Sequence, residues 1–237
     1  MSNHPRNCAI NLQTPQFQFK MKEETDVLFP NRDVSIAVIK YCKQHSVPLP
    51  KHILDHVDLT NGEFADKAEM MVSPLQAQYL IWTARTFGAK KILEIGCFTG
   101  FSALAFAEAL KDVEGAKIIT TDIDPETCKV ARQAFKDAGV DNFVTLLEAP
   151  ALDSGYVDYF NAVMDLKLLR KGGILIGDNV LRLGLVAEIE KNPNKEDKDS
   201  VSRVQYLRPF NELVAKDPRV EALILPVFDG LALVRVL

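Results

Sequence analysis

Glu94, Gly96, Gly100 and Asp122 are the residues whose types and spacing could do chemistry. Glu94 lies in the apolar stretch Ile92-Leu93-Glu94-Ile95, and the turn Gly96-Cys97-Phe98-Thr99-Gly100 follows at once. Asp122 closes a second such stretch, Lys117 to Asp122. Glycine lets a backbone approach a ligand closely and take dihedral angles closed to other residues. A carboxylate accepts hydrogen bonds at up to about four positions, enough for both hydroxyls of a ribose. In an α/β protein a glycine loop and an acid of this kind come together at the carboxyl ends of neighbouring parallel strands, where nucleoside cofactors bind.

The spacing narrows the cofactor. A dinucleotide fingerprint is G-x-G-x-x-G, whereas this chain has Glu94-x-Gly96-x-x-x-Gly100. Cys97 and Phe98 stand where a second tight glycine for a pyrophosphate would be. The carboxylate of Glu94 would repel a phosphate but could hold an ammonium group, directly or through water. A ligand with an amino-acid end and a ribose end fits best, and S-adenosylmethionine is such a ligand. Two other readings stay open. The glycines could serve packing in an ordinary strand–turn–helix. A nicotinamide-dependent oxidoreductase is the other, and the loop spacing and the lack of a Tyr-x-x-x-Lys pair count against it.

The elements that must position these residues follow from periodicity and punctuation. Apolar spacing predicts helices over 33–44, with Asn31 as cap, and over 51–59. Ser73-Pro74 opens a helix that runs through Tyr79 to Phe87 and stops at Gly88. Strands and helices then alternate: a buried strand over 92–95 (Ile92, Leu93, Ile95), a helix over 101–110, a strand over 118–122, and a helix over 125–138 between Asp124 and Gly139. A strand over 144–147, a helix over 157–169, a strand over 174–176 and a helix over 202–215 complete the alternation. Strands over 221–226 and 231–236, joined at Phe228-Asp229-Gly230, read as a hairpin, so one of them must be antiparallel to the rest. Glu188 to Ser200 is charged and reads as an exposed loop.

The 237 residues are 47% hydrophobic with a formal charge of −4, which suits one globular domain over 1–237 with a large core. The mild acidity gives no electrostatic ground for nucleic-acid binding. No apolar run approaches the ~20 residues that span a bilayer, and residues 1–20 lack an apolar signal core. Cys8, Cys42, Cys97 and Cys128 form no C-x-x-C pair and read as reduced thiols, so the expected location is the cytoplasm. His52 and His56 share a helical spacing, but no Cys or acid completes a metal set, and they read as surface histidines.

From Met70 onward the chain resembles the cation-dependent, S-adenosylmethionine-dependent O-methyltransferases of the caffeoyl-CoA and catechol type. The resemblance rests on motifs in order. These are Met70-Met-Val-Ser-Pro-Leu-Gln-Ala-Gln-Tyr79, Leu93-Glu-Ile-Gly-Cys-Phe-Thr-Gly-Phe-Ser102 and Thr121-Asp-Ile-Asp-Pro125. Glu148-Ala-Pro-Ala-Leu152, Gly172-Gly-Ile-Leu-Ile-Gly-Asp-Asn-Val-Leu181, Asp217-Pro-Arg219 and Asp229-Gly230 follow. It implies an α/β, Rossmann-like class I methyltransferase fold, with a mostly parallel sheet and an antiparallel C-terminal strand. Residues 70–237 would form the cofactor-binding core, and the helices before Met70 would contribute to a lid and to any homodimer contact. By resemblance Glu94 and Ser102 lie at the amino-acid end of the cofactor, and Gly96 lets the backbone close on it. Asp122 holds the ribose, Ala151 lies by the adenine, and Met70 and Val72 close over the cofactor. Asp178 and Asn179 match two of the family's three protein metal ligands, an oxygen set suited to Mg²⁺. The implied reaction is methyl transfer to a hydroxyl of a small aromatic, catechol-like metabolite.

The chain departs from the family in one place. The family carries a helix and then a strand of the type F-D-x-x-F-x-D-A-D-K before its G-Y-x-x-Y segment. Here Ala151-Leu-Asp-Ser-Gly-Tyr156 joins directly to Tyr159, and roughly 20–30 residues are missing, about one helix and one strand. That piece bears the family's first metal aspartate and its catalytic lysine, so no catalytic base is assigned. The strand is a central one, and its loss leaves a gap of ~9.6 Å, two interstrand spacings. The strands over 92–95 and 174–176 could close into a six-stranded sheet, the strand over 144–147 could move inward, or the fold could fail. Asp153 or Glu148 could then approach Asp178 as a substitute ligand, although Asp153 reads more simply as a helix cap before Tyr156. A catalytically impaired cofactor-binding relative, truncated or mis-spliced, is accordingly the alternative to an active enzyme.

Overall fold

A computed structural model describes residues 31–149 and 155–237. The chain divides after Cys42 into two units. Helix α1 (Arg32–Gln44) begins in the first and is capped as its sequence predicts, with the Asn31 carboxamide oxygen accepting from the Val34 N–H at 2.9 Å.

The second unit opens with α2 (Lys51–Glu63), a 3-10 turn at 68–70, and α3 (Pro74–Thr86). The alternating part follows as β1 (Lys91–Ile95), α4 (Phe101–Leu110), β2 (Lys117–Asp122), α5 (Pro125–Asp137) and β3 (Val144–Glu148). It continues as α6 (Tyr156–Asp165), β4 (Ile174–Gly177), α7 (Lys198–Lys216), β5 (Val220–Leu225) and β6 (Leu231–Val236). Local chemistry fixes several ends. Ser73 accepts from the Gln76 N–H ahead of Pro74, and Asp124 accepts from the Glu126 N–H ahead of Pro125. Gly88 and Gly139 follow α3 and α5 with positive φ. Helix α4 is apolar apart from Ser102 and Glu108 and is largely buried, as so apolar a helix must be.

Among the described residues the strands form two three-stranded sheets. In the first, β1, β2 and β3 are parallel, with Ile92 opposite Ile118 and Ile118 opposite Val144. In the second, β6 lies between β4 and β5 and is antiparallel to both, as the hairpin at Phe228–Gly230 requires. Neither closure expected from the sequence occurs. Strands β1 and β4 do not pair into one six-stranded sheet, and β3 stays on the outer edge beside β2.

The expectation of a buried strand at 92–95 is half wrong for the same reason. Ile92 packs into the core, but Leu93 is 51% exposed and Ile95 is 41% exposed. Side chains alternate across a strand, so Leu93 and Ile95 share a face with Thr145 and Leu147 of the same sheet. Leu147 is 47% exposed. A helix lost after β3 would leave that face bare, and a lost strand would leave the edge of β1 open; both are seen. Further corrections are local. Helix α6 ends at Asp165, not 169, because Lys167 takes a positive φ. The cap position of α6 is Gly155, and Asp153, read from the sequence as a cap, lies outside the described residues. Helix α7 starts at Lys198, four residues early, because Asp197 accepts from both the backbone N–H and the hydroxyl of Ser200.

Each sheet has its own buried cluster, one around Phe101, Ile118 and Phe135, the other around Phe160, Phe210 and Val234. Helix α3 reaches the second sheet's side at several points along its length. Its Gln76 amide donates to Asp178 at 2.8 Å, the Tyr79 ring lies 6.2 Å from that of Phe228, and the Phe87 carbonyl beyond its end accepts from Arg170 at 3.1 Å.

Candidate active site

The glycine loop and Asp122 meet at the carboxyl ends of β1 and β2. The Gly96 N–H donates to the Thr121 carbonyl at 3.0 Å, which carries the parallel pairing one residue beyond β1. Gly96, Phe98 and Gly100 all have positive φ, so the loop bends sharply. The two glycines differ in what they permit. A Cβ on Gly100 would sit 3.0 Å from both Ala131 and Phe135 of α5, so this glycine serves helix packing. A Cβ on Gly96 would meet nothing within 4 Å. That open space is what a ligand brought against the backbone needs.

Asp122 points back into the loop. One of its carboxylate oxygens accepts from the Cys97 and Phe98 N–H groups at 2.9 and 2.6 Å, the other from Ile123 and Asp124 at 2.8 and 3.2 Å. Four donors fill the carboxylate's usual acceptor positions. A ribose diol binding here shares or displaces the Cys97 and Phe98 contacts. Glu94 lies one residue before the end of β1 and accepts from the Thr120 hydroxyl at 2.6 Å, with the Ser102 hydroxyl as a second partner. Burial pushes its carboxyl up to about 7, partly offset by those two hydroxyls, and the nearby charge of Asp122 adds to the rise. A cation placed beside it would restore the ionised form. Burial likewise pushes the Cys97 thiol up, so it is not a nucleophile at neutral pH.

The entry segment lies at the same end. Met70 is exposed, and Val72 is half-buried against the core. Lys67, just before, pairs with Asp124 at 3.5 Å. Ala151 lies outside the described residues.

Asp178 and Asn179 follow β4. Asp178 is half-buried and Asn179 exposed with positive φ. Burial raises the Asp178 pKa, while hydrogen bonds from the Gln76 amide and the Asn179 N–H work against the rise and the charge of Asp229 adds to it. The Tyr156 hydroxyl donates to the Asp178 carbonyl at 2.6 Å, and burial pushes that phenol up to about 12. Among the described residues no group of three His, Cys, Asp or Glu is placed to hold a metal. Glu148 does not supply the third donor, since it pairs with Arg132 at 3.7 Å beside β3. Asp178 and Asn179 give two oxygen donors, and one carboxylate oxygen already takes the Gln76 amide. The described residues therefore do not fit a complete divalent site.

Sequence reasoning missed Thr120, Gln76, His56, Thr60 and Thr99. Thr120 had a signal: it is a polar residue two before Asp122, on the inward face of β2 and opposite Glu94. Gln76 had none, because its partner is 102 positions away. His56 was expected at the surface and is instead 6% exposed, while His52 is exposed as expected. The His56 ring donates from Nε2 to the Thr99 carbonyl at 2.8 Å, and Thr60 pairs with the Thr99 hydroxyl at 2.9 Å.

The O-methyltransferase family matches residues 43–154 and 151–237, two pieces that meet where the helix and strand are missing. O-methyltransferase ankF of Aspergillus thermomutatus is 32% identical over 236 residues, covering 90% of this chain and 98% of the relative. The probable caffeoyl-CoA O-methyltransferase 3 of Dictyostelium discoideum is 29% identical, covering 83% and 88%. Among solved structures, the SAH-bound methyltransferase PaMTH1 of Podospora anserina superposes with a TM-score of 0.82 at 33% identity, covering 89% of this chain and 98% of that one.

Proposed function

The chain belongs to the S-adenosylmethionine-dependent class I O-methyltransferase family, and from that premise we propose that it methylates a hydroxyl of a small aromatic, catechol-like metabolite. One observation carries the cofactor reading: Glu94 and Asp122 flank a loop whose first glycine leaves open space for a ligand. In this reading Glu94 and Ser102 receive the amino-acid end, the backbone at Gly96 closes on the ligand, Asp122 takes the ribose, and Met70 and Val72 border it. Ala151 is proposed beside the adenine. The acceptor class is supported by the names of relatives such as the Dictyostelium protein.

The transfer moves one methyl group. The acceptor oxygen forms a bond to the methyl carbon, the carbon–sulfur bond breaks, and the sulfonium becomes a neutral thioether. The hydroxyl proton goes to solvent or to a base. A phenol with pKa ≈ 10 is mostly un-ionised at neutral pH, so holding its oxygen in line with the methyl group supplies much of the acceleration. In the family a divalent cation assists this ionisation; among the described residues Asp178 and Asn179 find no third ligand to complete its set.

That incomplete set favours a second reading, a relative that binds S-adenosylmethionine and turns over poorly. Calorimetric titration of the 237-residue chain with S-adenosylmethionine, with and without Mg²⁺, tests both. Saturable binding followed by methylation of catechol acceptors supports the first reading, and binding without turnover the second. A chain that melts cooperatively and binds nothing overturns both.

A further inference from the structure

Helix α2 presents His56 and Thr60, and Phe64 just past its end, at intervals of four residues, the spacing that places side chains along one helix face. All three meet the glycine loop. His56 donates to the Thr99 carbonyl, the Thr60 hydroxyl pairs with that of Thr99, and the Phe64 ring packs edge-on against Phe98, 5.9 Å between centroids. We propose that this face of α2 is a brace that fixes the glycine loop in its ligand-receiving shape, with His56 and Thr60 as positioning residues for the cofactor. The inference rests on the reading of the Glu94–Asp122 site as the S-adenosylmethionine site.

The loop needs such a brace. Phe98 has a φ of 49°, a left-handed value that a bulky side chain keeps only when its surroundings impose it. Thr99 is fully buried, as is Thr60, so an unpartnered carbonyl or hydroxyl there would be costly. Both polar groups of Thr99 named here find their partners on α2. On the other side of the loop the Cys97 and Phe98 N–H groups are held by Asp122. The loop is thus gripped by a carboxylate on its N–H side and by α2 on its carbonyl side. Releasing the α2 side lets Thr99 turn to find new partners, which moves Cys97 and Phe98 off Asp122. A carbonyl only accepts, so His56 carries its proton on Nε2, and burial lowers its tendency to become charged. Plain helix packing would need apolar side chains here. Two directional polar contacts to a single loop residue specify that residue's orientation.

The test compares Thr60→Val, which removes only the hydroxyl, Thr60→Ser, which keeps it, and His56→Ala with His56→Gln, all in the full chain. S-adenosylhomocysteine affinity is measured by calorimetry, and hydrogen exchange is followed over residues 96–100. Thr60→Val and His56→Ala are expected to weaken affinity roughly tenfold and to speed exchange at Cys97 and Phe98 by a similar factor, with a cooperative thermal transition retained. Thr60→Ser is expected within about twofold of the parent on both measures, and His56→Gln to recover part of the loss. Parental affinity and exchange in Thr60→Val overturn the proposal, and that isosteric variant decides the matter if His56→Ala fails to fold. If the parent itself binds no S-adenosylhomocysteine, the site reading falls, while the exchange rates still decide whether α2 holds the loop.

Discussion

Asp122 and Glu94 stand in different electrostatic positions, and each makes its own prediction. Asp122 already accepts four backbone N–H groups, so Asp122→Ala removes both the proposed ribose partner and the tie between the loop and β2. It should weaken S-adenosylhomocysteine binding by at least tenfold and lower stability by about 1–3 kcal/mol. Asp122→Asn should recover part of the stability, since one oxygen remains, and little of the affinity. Unchanged affinity in Asp122→Ala would remove the ribose role. Glu94 has a carboxyl raised in the fold from 4.5 to about 7. An acid whose pKa is raised on folding favours the folded state below its unfolded pKa, and that advantage drains away as pH climbs to the folded pKa. Glu94→Gln should therefore melt with the parent at pH 4 and be more stable by about 1–2 kcal/mol at pH 8. At pH 8 it should also bind S-adenosylmethionine at least tenfold more weakly, having lost the charge proposed to meet the ammonium group. Melting curves at the two pH values, with a titration at pH 8, check the pair; a variant less stable than the parent at pH 8 would contradict the burial argument.

Gly96 and Gly100 show what an element demands of a loop. Both have positive φ, but only Gly100 lies against α5. Gly100→Ala should cost about 2–4 kcal/mol from backbone strain and from crowding Ala131 and Phe135. Gly96→Ala should cost only the strain, about 1–2 kcal/mol, while weakening cofactor binding more than its stability loss implies. Denaturant melts of both variants beside their affinities measure this, and equal stability losses would refute the division of labour. Legibility from sequence follows the same line. Caps at Asn31, Ser73 and Asp124, the loop glycines and the acid ending β2 are local signals, and each lies where its spacing predicts. The early start of α7 was also written locally, in Asp197 and Ser200, but a charged stretch masked it. Contacts such as Gln76 with Asp178 and His56 with Thr99 join residues far apart in the chain, and no periodicity encodes them.

At the scale of the molecule, the two sheets could not be read from the sequence because strand pairing depends on what lies beside each edge. Strand β1 has the composition of an interior strand and yet stands at an edge, with Leu93 and Ile95 exposed. Open apolar edges pair with other chains, so refolding yield should fall with protein concentration. Leu93→Lys should restore that yield and reduce binding of a hydrophobic dye; concentration-independent refolding of the parent would show that the edge is protected. Helix α3 carries a different implication. Its Gln76 holds Asp178 beside β4, while Ala77 and Ile81 pack into the core beneath the glycine loop. A ligand that stiffens either side reduces the ordering left for the other. In the proposed reading, an acceptor seated beside Asp178 would be linked to the cofactor by reciprocity: whatever factor one gained in affinity from the other's presence, the other would gain equally.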